Sequence, residues 1–97
     1  MFEPLSPSVL AEIKRIKKKC EEKLERNPFD LDAMFTLAAA MARLGDIDLA
    51  IDMIEGLLAV NPAYPGGLRL LAKLHQLKGD EEKSRECYER ALALGEV

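Results

Sequence analysis

Catalysis and metal binding need side chains that can hold a proton, a metal or an electron pair, and this 97-residue chain has few beyond its carboxylates. It carries one histidine, His75, two cysteines, Cys20 and Cys87, and 17 Asp and Glu residues. A zinc site takes three or four Cys, His or carboxylate ligands brought together in a tetrahedron. His75, Cys20 and Cys87 stand in three separate stretches of helical periodicity, so no metal site and no cofactor are expected. His75 shares the spacing of Leu68, Leu71 and Ala72, which marks it as a core histidine whose ring is expected to be satisfied inside the fold. The carboxylates fall on polar helix faces and at helix starts, not on apolar faces where burial would raise a pKa for general acid work. With no glycine-rich phosphate loop either, no catalytic residues are assigned and the chain is not expected to be an enzyme.

Binding chemistry is better represented. Lys14, Arg15, Lys17, Lys18 and Lys19 form a basic run, but Glu12, Glu21, Glu22 and Glu25 flank it and no aromatic residue is interleaved for base stacking. The net charge is −3, the wrong sign for a general nucleic-acid binder. Charge is also uneven: residues 1–26 sum to +2, residues 27–60 to −5 and residues 61–97 to zero. No run of apolar residues is long enough for a membrane span. The opening MFEPLSPSVL lacks the basic start and apolar core of a secretory leader. A cytoplasmic setting is therefore expected, with both cysteines reduced and small apolar in role.

The elements that must position these groups follow from an internal repeat. Shifting the sequence by 34 residues aligns Asn27-Pro28 with Asn61-Pro62, Leu37-Ala38 with Leu71-Ala72, Gly45-Asp46 with Gly79-Asp80, and Glu55, Leu58 and Ala59 with Glu89, Leu92 and Ala93. Such a period belongs to stacked helical pairs that share one continuous core. Within the unit the apolar residues recur at helical spacing: Ile47, Ala50, Ile51, Ile54, Leu57 and Leu58 form one stripe, opposite Asp48, Asp52 and Glu55. Gly45 and Gly79 suit helix ends, and Asp46 and Asp80 suit the caps of the helices that follow. A further stripe, Val9, Leu10, Ile13, Ile16, Cys20 and Leu24, enters through Ser6-Pro7. The spacing predicts five helices, over 7–26, 30–44, 47–60, 64–78 and 81–94.

On these residues the chain resembles the tetratricopeptide repeat family. The family pattern falls on Met34, Leu37, Ala38, Met41, Ala50, Ile54 and Pro62 in one unit, and on Leu68, Leu71, Ala72, His75, Ser84 and Tyr88 in the next. The resemblance implies an all-α fold of antiparallel helix pairs stacked as a right-handed superhelix. One domain over 1–97 is expected, made of a half repeat or capping helix (7–26) and two repeats (27–60 and 61–94). It further implies an adaptor that binds a peptide or helix of a partner protein in a concave groove. Groove positions map to Asp32, Phe35, Ala39, Ala42 and Arg43 on one lining helix and to Arg69, Lys73 and Gln76 on the other. An apolar wall beside a basic one suits an acidic, amphipathic partner segment, with Phe35 facing the two cations. Asparagine, which some members use to clamp a carboxylate, occurs only as Asn27 and Asn61 in the turns. An alternative is a self-assembly module that forms a homo-oligomer through Tyr88 and Leu92 on its last helix. A third reading is a segment cut from a longer array.

Overall fold

The computed structural model describes residues 5–96, which form five α-helices: α1 (Pro7–Arg26), α2 (Leu31–Arg43), α3 (Ile47–Val60), α4 (Gly67–Lys78) and α5 (Glu81–Ala93). Residues 1–4 and 97 of the expected 1–97 unit lie outside the described residues. The bounds of α1 and α3 are those that periodicity predicts. The flanking residues of α2 and α5 turn out to be caps: Asp30 accepts from the Ala33 N–H at 3.0 Å, and Leu44 and Leu94 close the C-terminal ends.

The start of α4 differs from expectation by three residues, and the local chemistry explains why. The Tyr64 N–H donates to the Asn61 carbonyl and the Gly67 N–H to the Tyr64 carbonyl, two successive turns through Pro62 and Pro65. Gly66 then sits at φ 81°, a left-handed conformation that a helix cannot include. Helical geometry begins only at Gly67. A side chain there would meet Leu58 Cδ2 at 2.8 Å, so glycine lets the first turn of α4 lie close against α3.

Of the two expected aspartate caps, one is made. Asp80 accepts from the Lys83 N–H at 3.2 Å, whereas Asp46 occupies the cap position of α3 without a side-chain cap bond. The paired glycines behave alike: Gly45 and Gly79 take φ 96° and 90°. The next N–H reaches back across each, from Asp46 to the Met41 carbonyl at 2.9 Å and from Asp80 to the His75 carbonyl at 2.8 Å. This closure satisfies carbonyls that a helix end otherwise leaves unpaired.

Each helix packs mainly on its neighbours in sequence, which makes the array a solenoid. The inner helices α2 and α4 also touch, while α1, α3 and α5 do not touch one another. The stack therefore curves, with α2 and α4 converging on the inside and the other three splaying on the outside. Its 21 Å thickness is two helix diameters. The core runs through both repeats at matching positions: Leu37 with Leu71, Ala38 with Ala72 and Ala50 with Ser84 are all buried. Ile54, Leu57, Leu68 and Leu74 are the largest fully buried side chains, each contributing about 1.5 to 3 kcal/mol. Tyr88, which matches Ile54 in the repeat, is 39% exposed because no described helix follows α5. Among the described residues no helix is long and apolar enough to cross a membrane.

Ala50 has no exposed surface, so the site has no room for a larger side chain. Ala50→Leu is expected to cost about 1 to 3 kcal/mol through overpacking. Thermal unfolding followed by circular dichroism reads this as a Tm lowered by about 4 °C or more.

Candidate functional site

The inner face of the curve carries a cleft of about 590 Å³ between α2 and α4. Small residues of α2, Ala39 and Ala42, form one wall, and Leu70, Leu74 and Leu77 of α4 form the other, with Arg43 and Lys73 among its lining residues. The leucines recur at i, i+4 and i+7, so the helix presents them along one line. Leu5, just before α1, also lines the cleft. That leucine line is the part of the cleft that the groove mapping from sequence missed, although its spacing is visible there.

A second opening of about 500 Å³ lies along α4, lined by Gly66, Arg69, Leu70, Lys73, Gln76 and Tyr88. It shares Leu70 and Lys73 with the apolar cleft, so the two form a continuous surface that changes from apolar to basic. Of the eight expected groove residues, Ala39, Ala42, Arg43 and Lys73 meet in the first cleft, and Arg69, Lys73 and Gln76 meet in the second. Tyr88, assigned from sequence to self-association, also joins the basic patch. With Leu92 it borders a shallow depression on α4 and α5 as well.

Phe35 lies beside Gly66, which lines the basic opening. Its ring stacks at a tilt on Tyr64, with centroids 5.3 Å apart, and the position of a side chain at Gly66 would be 3.6 Å from its Cζ. The Tyr64 hydroxyl donates to Asp32 Oδ1 at 2.5 Å, so Asp32 is engaged by the turn before α4. This bond favours the neutral phenol, and with burial it pushes the Tyr64 pKa up to about 12. Phe35, Tyr64 and Asp32 together pin the start of α4 to the start of α2, which fixes the width of one end of the groove.

The outer face has opposite charge. Asp48 pairs with Lys78 and raises its pKa, chiefly by hydrogen bonding. Asp52 and Glu55 are exposed beside them. His75 is only 7% exposed, as its core position requires. No hydrogen bond to the ring is found among the described residues, and its nitrogens are not among the buried atoms left without a partner, so they meet solvent. Cys20 and Cys87 are buried and unpaired with each other, and burial raises both thiol pKa values, which favours the inert thiol over the reactive thiolate.

The tetratricopeptide repeat model matches residues 31–74, from the start of α2 into α4. A TPR repeat-containing protein of Methanocaldococcus jannaschii is 36% identical over 76 residues, which is 78% of this chain and 24% of that protein. The chain belongs to the tetratricopeptide repeat family. Among solved structures, MamA of MSR-1 aligns with a TM-score of 0.79 at 24% identity, covering 91% of this chain and 50% of that one. MamA of AMB-1 aligns with a TM-score of 0.78 at 24% identity, covering 90% and 51%. At that identity the MamA structures speak for the fold, an all-α tetratricopeptide solenoid. The chain spans about a quarter of its archaeal relative and about half of these MamA chains.

The Tyr64 to Asp32 bond can be read by titration. Tyr64 and Tyr88 are the two tyrosines of the chain, so in a Tyr88→Phe background the phenolate absorbance reports Tyr64 alone. It is expected to ionise near pH 12, and Asp32→Asn is expected to bring the midpoint down toward 10. Because the folded pKa lies above the unfolded one, the stabilisation is complete below pH 10 and is lost as pH rises through 12.

Proposed function

We propose that the chain is a protein-interaction module that takes a short segment of a partner protein along the inner face of α2 and α4 and performs no chemistry. The observation that carries this is the continuous surface in which the Ala39, Ala42, Leu70 and Leu77 cleft runs into Arg69, Lys73 and Gln76. An apolar slot bordered by cations complements an amphipathic segment whose other face is acidic. Apolar contacts supply affinity, and carboxylates opposite Arg43, Arg69 and Lys73 supply register and orientation. Residues 7–26 act in this proposal as a half repeat that backs α2, with 27–60 and 61–94 as the two repeats that build the groove. The family assignment supports a helical interaction surface; the acidic partner is inferred from the lining residues.

Phe35 has a structural part in this proposal beside the groove position that the sequence mapping gave it. Held by Tyr64 and Gly66, it sets the spacing between α2 and α4. Phe35→Ala therefore acts on stability first and on binding through the groove's width.

A second reading, self-association through α5, has its own observation. Leu92 is 66% exposed on the same helix as Tyr88, and Leu94, which closes that helix, is 51% exposed; an exposed apolar strip of this kind often marks an interface. Sedimentation across a wide concentration range tests it. Leu92→Glu is expected to return any oligomer to monomer, and a monomer at every concentration removes this reading.

The groove is tested with a displayed library of helical peptides panned against the chain. Acidic amphipathic sequences are expected among the binders, and Arg69→Glu with Lys73→Glu is expected to weaken them at least about tenfold with circular dichroism unchanged. Binders that hold the charge-reversed protein as tightly as the original refute the proposal.

A further inference from the structure

One residue that lines the inner cleft belongs to neither repeat. Leu5 precedes α1 and lies outside every helix, yet it shares the cleft with Leu44 and Gly45 after α2 and with Leu77 in the last turn of α4. It is half-buried there. Ser6, which follows, holds φ −64° and ψ 153°, close to the polyproline II helix. The Ser6 side chain accepts from the Val9 N–H at 3.2 Å, so a hydrogen bond holds the junction between this segment and α1.

The sequence before Leu5 matches the cleft in chemistry. Residues 1–4, which lie outside the described residues, read Met1-Phe2-Glu3-Pro4. Pro4 and Pro7 both disfavour helical geometry in the residue before them and favour an extended, polyproline II path. That helix has three residues per turn, which puts Phe2 and Leu5 on one side about 9 Å apart. Leu70 and Leu77 of the cleft are seven residues apart on α4, about 10 Å along its axis. Lys73 stands between them. Arg43 and Lys73 both line the cleft, and neither is in an ion pair among the described residues. A bulky apolar group, a carboxylate and a leucine already in place are what this lining asks of a ligand.

We propose that residues 1–5 are an intramolecular ligand of the inner groove, which a partner segment must displace. Phe2 enters the apolar slot beside Leu70, and Glu3 meets Arg43 and Lys73. This inference rests on the reading of the inner face as a partner groove and adds its regulation. The tether explains how so short a segment competes, since a few residues of linker give an effective concentration of about millimolar. A second copy of the chain reaches that level only at millimolar protein, so the segment serves its own groove. The polyproline II path lowers the ordering cost as well. Partial occupancy then reduces the apparent affinity of every partner by the fraction of grooves left open.

The test uses the whole chain. It has no tryptophan, so in Phe2→Trp a single indole reports the segment with no partner present. Its emission is expected to lie to the blue of that of the urea-unfolded chain, with weaker quenching by acrylamide. Glu3→Lys and Leu77→Lys, the latter at a position 46% exposed, are each expected to move the emission back with circular dichroism unchanged. A second arm uses the library-selected helical peptides: Phe2→Ala with Leu5→Ala is expected to tighten their binding at least about twofold. Three outcomes overturn the proposal: an indole as quenchable in the folded chain as in the unfolded one, a blue shift that appears only as protein concentration rises, and unchanged peptide affinity in the double variant. The two readings fail separately. A shielded indole in a chain that binds no peptide refutes the partner groove and leaves the docking in place, and tight peptide binding with a free indole does the reverse.

Discussion

The whole molecule depends on how closely successive helices approach, and that is set by side chains with almost no bulk. Ala38, Ala50 and Ala72 have no exposed surface at all, and Ser84 completes the series in the last helix. Interaxial distance between packed helices follows the size of the residues at the contact. With alanine there, the backbones of a pair come near enough for the leucines and isoleucines beside them to interlock. Larger residues at those positions would push the pairs apart and undo the contact between α2 and α4 that makes the solenoid curve. The candidate groove is a consequence of that curvature, which narrows the inner face into an apolar slot.

Much of this was legible in the sequence because repetition is a strong signal. Residues that recur at an offset of 34, Leu37, Ala38, Gly45, Asp46 and their partners, are the ones that close helices and fill the core. What could not be read is what depends on contacts between residues far apart in the chain. The Tyr64 hydroxyl on Asp32 and the Phe35 ring on Tyr64 join residues about 30 positions apart, and neither contact has any trace in local periodicity. The difference between Asp46 and Asp80 as caps is equally silent, since both follow a glycine and precede a helix.

The candidate site divides along the same line. Arg69, Lys73 and Gln76 share one face of α4, and helical spacing alone brings them together. Phe35 obeys the same spacing on α2, but its contact with Tyr64, in a turn one repeat later, is not something that spacing reveals. His75 is legible as a core residue, and the burial agrees.

Repeat proteins carry an internal control that most folds lack. Where two units agree, the residue answers to the architecture; where they differ at matching positions with unchanged backbone, it is released from that duty. The turns between units make the point. Asn27 and Asn61 accept from Phe29 and Ala63 N–H groups at 3.1 Å alike, and both carbonyls receive the N–H three residues on at 3.1 Å. The turn is therefore indifferent to whether phenylalanine or alanine stands there, and Phe29, 73% exposed, is not needed to form it. The same comparison separates His75 from Met41 and Asp52 from Lys18. A lone exposed phenylalanine is ordinary on a protein surface. Where His75 stands the preceding repeat has Met41, and both are almost fully buried, so the position asks for bulk and not for a ring nitrogen.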